Sequence, residues 1–470
     1  MSRKGGVLSG GFQPLKAPNA PSVDSVSVGV LSADVTVSAP ANTGDGTVSG
    51  YVVTAKQSDG LLATGTSSSA GVVSVTLTAG GTTEFASQAF SEYGPGQFSG
   101  FGNSTEIPTG LGLGDLYAWG PRGSGGRLGD GSTGGSRTTP FRIGALSNWA
   151  QVSTDSATLA VKTDGTLWAW GYNGTGYLGL NNTTSYDSPV QVGALTTWEQ
   201  CASGSGNGAI KTDGRLWMWG NNSSGQVGIN STINKSSPTQ VGTLTNWAQL
   251  SCSGANFSGA VKTNGTLYMW GNNGNGQLGN NQTSPRSSPV QIGALTSWAN
   301  VQLSDGTNAT AALKTDGTLW FWGNNFWGPA GNNTRGNSLS SPVQVPTATD
   351  WAQFTVGSED VMAVKTNGTL WGWGRNYRGS LGLGNTVSRS SPVQVGALTN
   401  WSQVSMGSAF SLAVKTDGTI WSWGKGDEGV LGLGSTVDKS SPVQIGTADT
   451  WYSVDAGRAV LAIQQTFIYP

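Results

Sequence analysis

No histidine occurs among the 470 residues, and this absence removes more chemistry than any other feature of the chain. Imidazole is the side chain that titrates near neutrality and the commonest neutral metal ligand, so nucleophile arrangements that depend on it are excluded and catalytic metal sites lose their usual donor. Cysteine is nearly missing too. Cys201 and Cys252 are too few for a disulfide framework and read as two free, buried thiols. Charged residues make up 10% of the chain, against roughly 25% in ordinary soluble proteins. They are balanced, 24 basic against 25 acidic, so the basic face that a phosphate backbone requires is lacking and nucleic acid is not expected as a partner. No apolar run is long enough to span a bilayer, which argues against membrane insertion, and Met1 to Ala20 lacks the apolar core of a signal peptide. Synthesis in a cytoplasm is therefore expected, with a surface built from Asn, Ser, Thr, Gln and Gly.

What the chain does have is periodicity. Trp-Gly recurs at 119, 170, 219, 270, 322, 373 and 423, at intervals of 49 to 52 residues. A second series, Trp149, Trp198, Trp247, Trp298, Trp351, Trp401 and Trp451, keeps nearly the same period and the same count of seven. Repeats of about 50 residues mean a propeller or a solenoid. The unit that opens at Trp401 reads as four strands: Leu412 to Val414 and Thr419 to Trp423 flank a Lys-Thr-Asp-Gly turn, and Pro442 to Ile445 alternates from a proline, as an edge strand does. The last unit never reaches a Trp-Gly, while Gly114 to Gly120 matches the end of a unit and has no beginning. Both ends are therefore expected to share the seventh unit and close a ring, which leaves few sheet edges open. Thr466 to Tyr469 is a second candidate for the same strand position.

The segments WGNNSSGQVG (219–228) and WGNNGNGQLG (270–279), with Ser-Pro-Val-Gln at 288, 341, 391 and 441, give residues 110 to 470 a specific pattern. In it the region resembles the regulator of chromosome condensation repeat family, and the resemblance implies a seven-bladed β-propeller. Where units of that family often carry a histidine, this chain has Ala157, Asp360 and Phe410. Residues 18–108 contain none of the 20 tryptophans. Ala17 to Pro21, Val35 to Pro40, Gly50 to Thr54 and Thr83 to Gly96 follow the order of a fibronectin type III domain, which that stretch resembles. Val37 stands where a core tryptophan is usual, and Phe85 where a corner tyrosine would be. Residues 1–17 are Gly, Ser and basic residues, a flexible arm with too little apolar content to fold alone. The expected organisation is all-β: the arm, a small β-sandwich at 18–108, and a seven-bladed propeller over 109–470.

Candidate sites are few. Asp427-Glu428 and Glu359-Asp360 are the nearest approach to a sugar-hydrolysing carboxylate pair, but adjacent acids in loops are usually solvated. No catalytic residue, metal ligand or cofactor is assigned. The run Gly110 to Gly114 is not a phosphate loop, because no helix follows it, and Asn-x-Ser/Thr triplets such as Asn173-Gly174-Thr175 imply glycans only in a secreted eukaryotic protein. The lysines 162, 211, 262, 314, 365 and 415 recur at the hairpins. They read as solubilising groups offset by Asp164, Asp213, Asp316 and Asp417, with an anion-attracting rim as the alternative. Nineteen tryptophans are in register with the repeat and read as packing residues; Trp327 alone is not. It lies in the loop after Trp-Gly, whose variable pairs include Phe326-Trp327 and Tyr377-Arg378 in successive units. If these loops share a face, Phe326, Trp327, Tyr377 and Arg378 form an aromatic and cationic patch suited to a sugar ring or a protein partner.

Low charge, an arm, a fibronectin-like module and a rigid propeller together point to a non-enzymatic virion protein, a bacteriophage tail fibre or capsid decoration. In this expectation residues 1–108 dock to other virion proteins and the propeller loops meet host-surface polysaccharide or protein. The alternative is a cellular protein-interaction propeller, including the GTPase-exchange and enzyme-inhibitor roles that the family resemblance implies. Unit lengths leave no room for an exchange-factor wedge. A homo-oligomer is left open, with no coiled-coil heptad to enforce one.

Overall fold

Each Trp-Gly repeat folds as one four-stranded antiparallel sheet. The computed structural model describes residues 18–464, apart from 30–31, 42–46, 58–61, 78–80, 92–93, 99–101, 108–109, 112–113 and 347, together with 467–468; the arm at 1–17 lies outside the described residues. The chain divides into two compact units, one of residues 114–465 and one of 1–113 with 466–470.

In the larger unit seven sheets open at Trp149, Trp198, Trp247, Trp298, Trp351, Trp401 and Trp451, and we number the blades one to seven in that order. Blade three shows why the sequence makes four strands. Trp247–Cys252, Phe257–Lys262, Leu267–Gly271 and Arg286–Gln291 pair in that order, and the second strand is buried along its whole length because neighbouring blades cover both of its faces. Asn264-Gly265 makes the hairpin: Gly265 has φ +74°, and a Cβ there would stand 2.2 Å from Thr296 O.

The third-strand tryptophans tie the blades together. Trp119, Trp170, Trp219, Trp270, Trp322, Trp373 and Trp423 are fully buried, and each indole N–H donates to a carbonyl of the preceding blade, at 2.8 to 2.9 Å. The accepting residues are Val430, Arg127, Tyr177, Gln226, Gln277, Pro329 and Ser380 in turn. This contact explains the glycine two residues beyond each acceptor: at Gly228 a Cβ would lie 2.7 Å from the Trp270 indole nitrogen. Toward the axis, side-chain amides make a second set of links. Gln151, Gln249 and Gln353 each accept from and donate to the backbone of Cys201, Val301 and Val404. Asn300 takes this position between blades four and five. Its side-chain carbonyl is buried with no partner among the described residues.

The opening tryptophans pack edge-on against the third strand. Trp298 meets Trp320 at 6.1 Å and Trp322 at 6.0 Å between ring centroids. The six hairpin lysines then close over these rings, with Lys314 Nζ 3.8 Å from the Trp320 centroid and 5.1 Å from that of Trp298. The same double contact recurs for Lys162, Lys211, Lys262, Lys365 and Lys415. The solubilising reading of these lysines is thus corrected. Lys162, Lys262, Lys314 and Lys415 are buried, and their ammonium groups act as cation–π clamps on the core. Nor do they form a free anion-attracting rim. In blade seven Gln464 occupies the register position of the lysine, opposite Trp451.

The ring closes in blade seven. Asp115–Pro121 pairs with Val460–Gln464, with Trp119 opposite Val460, and Ser136–Arg142 completes the sheet. Phe467-Ile468 pairs with Gly110-Leu111 instead, so it does not compete for that strand position. Blade seven is tied to blade one by the Thr154 N–H, which donates to the Asp455 carboxylate at 2.7 Å.

The smaller unit is a β-sandwich. One sheet orders Ser22–Gly29, Ser32–Ser38 and Gly71–Thr76; the other orders Leu62–Ser67, Val48–Gln57, Gly81–Ser91 and Gly94–Phe98, with Gly102–Ile107 also on Gly81–Ser91. Its core takes alternate residues from both sheets, Val35, Val37, Val73 and Val75 against Val53, Ala55, Phe85 and Ala89.

Replacing Trp270 by phenylalanine keeps most of the ring volume but leaves Gln226 O with only the Ser258 hydroxyl as donor. The expected loss is about 2 kcal/mol. It is read as a lower midpoint in urea unfolding, and an unchanged midpoint would show the inter-blade bond to be dispensable.

Candidate functional site

Antiparallel order sends the connections between strands one and two, and between strands three and four, to the same face of every blade. The longer, third-to-fourth connections are shaped by one residue. Asn173, Asn222, Asn273, Asn325 and Asn376 are fully buried, and each accepts at Oδ1 from the N–H five residues on, while its amide donates to carbonyls or hydroxyls further along the loop. For Asn376 these acceptors are Asn385 O at 2.9 Å and Val387 O at 3.2 Å. Asn173 therefore staples a loop from the interior, and its Asn-Gly-Thr triplet is closed to a glycan.

Staples at Asn325 and Asn376 hold the two residues that follow each of them outward. Phe326 is 59% exposed and Tyr377 51%, while Trp327 is half-buried with its ring edge-on to Phe326 at 5.5 Å. Between Trp327 and Tyr377 lies a guanidinium, 4.9 Å from each ring centroid, but it belongs to Arg375. Arg378, the cation that the sequence suggested for this patch, is engaged elsewhere. It pairs with Asp438 at 2.5 Å through Nε and with Asp427 at 2.5 Å and 3.0 Å through the two terminal nitrogens, bridging the loops of blades five and six. These carboxylates hold Arg378 above its ordinary pKa. The structure thus brings Phe326, Trp327 and Tyr377 together with Arg375, and makes Arg378 a strut. Arg375 was legible in the register: it directly follows Trp373-Gly374, where other units place Tyr172, Asn221, Asn272 and Asn324. It lies outside the variable pair Tyr377-Arg378 of its loop.

Glu359 accepts from Arg375 and so fixes the cation between its two rings. Its neighbour Asp360 is buried, accepts from the Ser380 hydroxyl at 2.7 Å, and is pushed up to about 7 by burial. The two acids have separate partners and do not face each other across a substrate-sized gap. Tyr377, Arg375, Glu359, Asp360, Ser358 and Lys425 border a cavity of about 180 Å³ at this point. Further apolar side chains on the same set of loops are exposed: Tyr172, Ile233, Val387 and Val437. The opposite connections expose one leucine each at 146, 195, 244, 295 and 398. Nearer the axis, Asp455 is likewise pushed up to about 7 by burial, and burial raises Asp305 as well. Both thiols, Cys201 and Cys252, are free and pushed up by burial, which leaves them unreactive at neutral pH. Among the described residues no group of three or more Cys, Asp or Glu is placed to hold a metal ion.

Seven four-stranded sheets closed into a ring, with stapled loops on one face, define a seven-bladed β-propeller, and on those loops stands an aromatic cluster. The chain belongs to the Regulator of chromosome condensation (RCC1) repeat family, whose sequence model matches residues 164–209, 213–261, 264–313, 367–414 and 417–461. A second RCC1 repeat model matches 247–277 and 401–430. The internal stretch between the third and fourth matches of the first model contains Phe326-Trp327. The ultraviolet-B receptor UVR8 of Arabidopsis thaliana is 36% identical over 134 residues, covering 28% of this chain and 30% of that protein. Mouse RCC2 is 32% identical over 123 residues, 26% of this chain and 24% of that one. The matched region thus spans about a quarter to a third of the length of these relatives. The solved structure of Prp20p from Saccharomyces cerevisiae has a TM-score of 0.67 at 19% identity, over 77% of this chain and 93% of that one, which shows a common fold.

Asp360 and Asp455 give the fold a pH dependence. Their folded pKa values, about 7, lie above the ordinary 3.8, so the native state binds more protons than the unfolded chain. Their contribution is complete below about pH 4 and is lost as the pH rises through 7. The melting temperature is expected to fall by several degrees from pH 5 to pH 8, and Asp360→Asn with Asp455→Asn to flatten that slope; a slope unchanged in the double variant would remove these two acids as its cause.

Proposed function

We propose that this protein is a non-enzymatic interaction propeller whose loop face binds a protein partner through Phe326, Trp327, Arg375 and Tyr377. The observation that carries this reading is the guanidinium of Arg375 seated between Trp327 and Tyr377, with Phe326 beside them and Glu359 fixing the cation. Exposed aromatic rings around a charged fork are the composition of binding hot spots. Rigid loops lower the entropy lost on docking. The report on Prp20p describes its binding to Gsp1p and histones, and protein binding by a propeller of this fold supports the same class of role here. The sandwich at 18–108, which resembles a fibronectin type III domain, then serves as a second docking module or a spacer.

A second reading is a virion-surface protein, favoured by the 10% charge content and by the order of sandwich and propeller. In that case the same loops would meet host-surface polysaccharide or protein, and residues 1–108 would dock to the particle. UVR8 of Arabidopsis and RCC2 of mouse are proteins of cellular organisms, which favours the first reading.

Affinity capture with the full chain and with a Phe326→Ala, Trp327→Ala, Tyr377→Ala variant separates these possibilities. The variant is expected to melt within about 2 °C of the parent, because these side chains lie outside the blade core, and to lose at least ten-fold in retention of the captured proteins. Equal retention would discard the loop face as the contact. Co-sedimentation with virus particles would move the assignment to the second reading.

A further inference from the structure

We propose that the seam between blades six and seven is an oxyanion-binding site, in which Arg127 and Arg458 take the carboxylate or phosphate oxygens of a ligand. The site goes beyond the partner-binding face and rests on different residues.

A cavity of about 700 Å³ lies at this seam, within the size range of ligand pockets, which is roughly 300 to 1,000 Å³. Phe410 and Val430 give it an apolar wall, and Arg127, Arg458 and Lys425 contribute positive charge. Arg127 is half-buried, and its guanidinium, which carries five N–H donors, makes no hydrogen bond and no ion pair among the described residues. Other half-buried arginines of these loops are not left so: Arg122 has Asp130 at 2.8 Å, and Arg378 has Asp427 and Asp438 at 2.5 Å. Arg127 instead faces a second cation, Arg458, while the carboxylates of Asp155, Glu428 and Asp305 lie near it without bonding to it. Burial and the charge of Arg458 hold it below its ordinary pKa. Arg458 uses only Nε, bonded to Asp155 at 2.8 Å, and its two terminal nitrogens are uncommitted. Lys425 lies 3.6 Å from Asp427, which Arg378 already claims.

Burying one cation beside another with no acceptor costs stability. The inter-blade contact does not require it. The backbone carbonyl of Arg127 makes the inter-blade bond to Trp170, and that bond is indifferent to the side chain. The loops on both sides of the seam also depart from the repeat: Gly426 in blade six and Arg122 in blade seven stand where the other five blades have the stapling asparagine. Two guanidinium forks converging on an open cavity match the bidentate geometry of carboxylate and phosphate oxygens. Glu428, exposed at the rim and bonded to nothing among the described residues, is the acid with which a ligand anion competes.

The test is thermal unfolding of the full chain with inorganic pyrophosphate or with a pentaglutamate peptide, against sodium chloride at equal ionic strength. A saturable rise in melting temperature with either probe is expected. A response to pyrophosphate assigns the oxygens to a free phosphate ligand, and a response to the peptide alone assigns them to an acidic segment of a partner. Arg127→Gln should melt at or above the parent, because the like-charge contact is gone, and should lose most of the rise. Glu428→Gln, an exposed change that leaves folding alone, should reach half-saturation at several-fold lower probe concentration. No rise beyond the salt control, a full rise in Arg127→Gln, or an unchanged half-saturation in Glu428→Gln would overturn the site. None of these variants touches Phe326, Trp327 or Tyr377, so this site and the partner-binding face can fail separately.

Discussion

Seven indole N–H groups, each donated to a carbonyl of the blade before, convert a string of similar hairpins into a ring. A blade alone is a four-stranded sheet with two apolar faces and cannot persist in water. Pressing the faces together buries them but leaves the orientation of one blade on the next free. A buried tryptophan removes that freedom, because its ring fills the interface and its N–H must find an acceptor. The acceptor is the residue two before a glycine, and the glycine keeps the approach open. Conserving this contact in every unit fixes the motif at both ends, Trp-Gly in one blade and x-Leu-Gly or its equivalent in the previous one.

Other parts of the repeat follow from that constraint. Opening tryptophans fill the outer part of each interface, and lysines at the hairpins cap them from above, so that six of the 24 positive charges of the chain are held against the core. These six lysines are thereby withdrawn from a surface that already carries little charge. Asparagine staples then set the long loops on rigid supports and free the two positions beyond each staple to vary. Phe326 and Tyr377 emerge at those positions, and at the seam of blades six and seven the staple itself is replaced.

Much of this was legible in the sequence because a repeat displays its own constraints. The count of seven, the hairpins at Asp-Gly and Asn-Gly, and the sharing of the last blade between Asp115–Pro121 and Val460–Gln464 follow from period and from the truncated ends. The aromatic patch was partly legible, since Phe326, Trp327 and Tyr377 break the pattern of their loops. What could not be read was pairing in space. Arg378 and Arg375 are equally cationic three residues apart, and only the positions of Asp427, Asp438 and Glu359 decide which one lies between the aromatic rings. The lysines misled for a related reason: a charge at a hairpin looks solvated until the rings of the neighbouring strands are placed beside it.

If the indole bonds are what make the ring a single cooperative body, then its closure should be as firm as any other interface. Hydrogen–deuterium exchange of the full chain, followed by mass spectrometry, tests this directly. Asp115–Pro121 and Val460–Gln464 are expected to exchange with the same slow, global rate as the equivalent strands Leu267–Gly271 and Phe257–Lys262 of blade three. Early exchange confined to the seventh blade would contradict it, because the ring would then open at its closure while the other blades stayed folded.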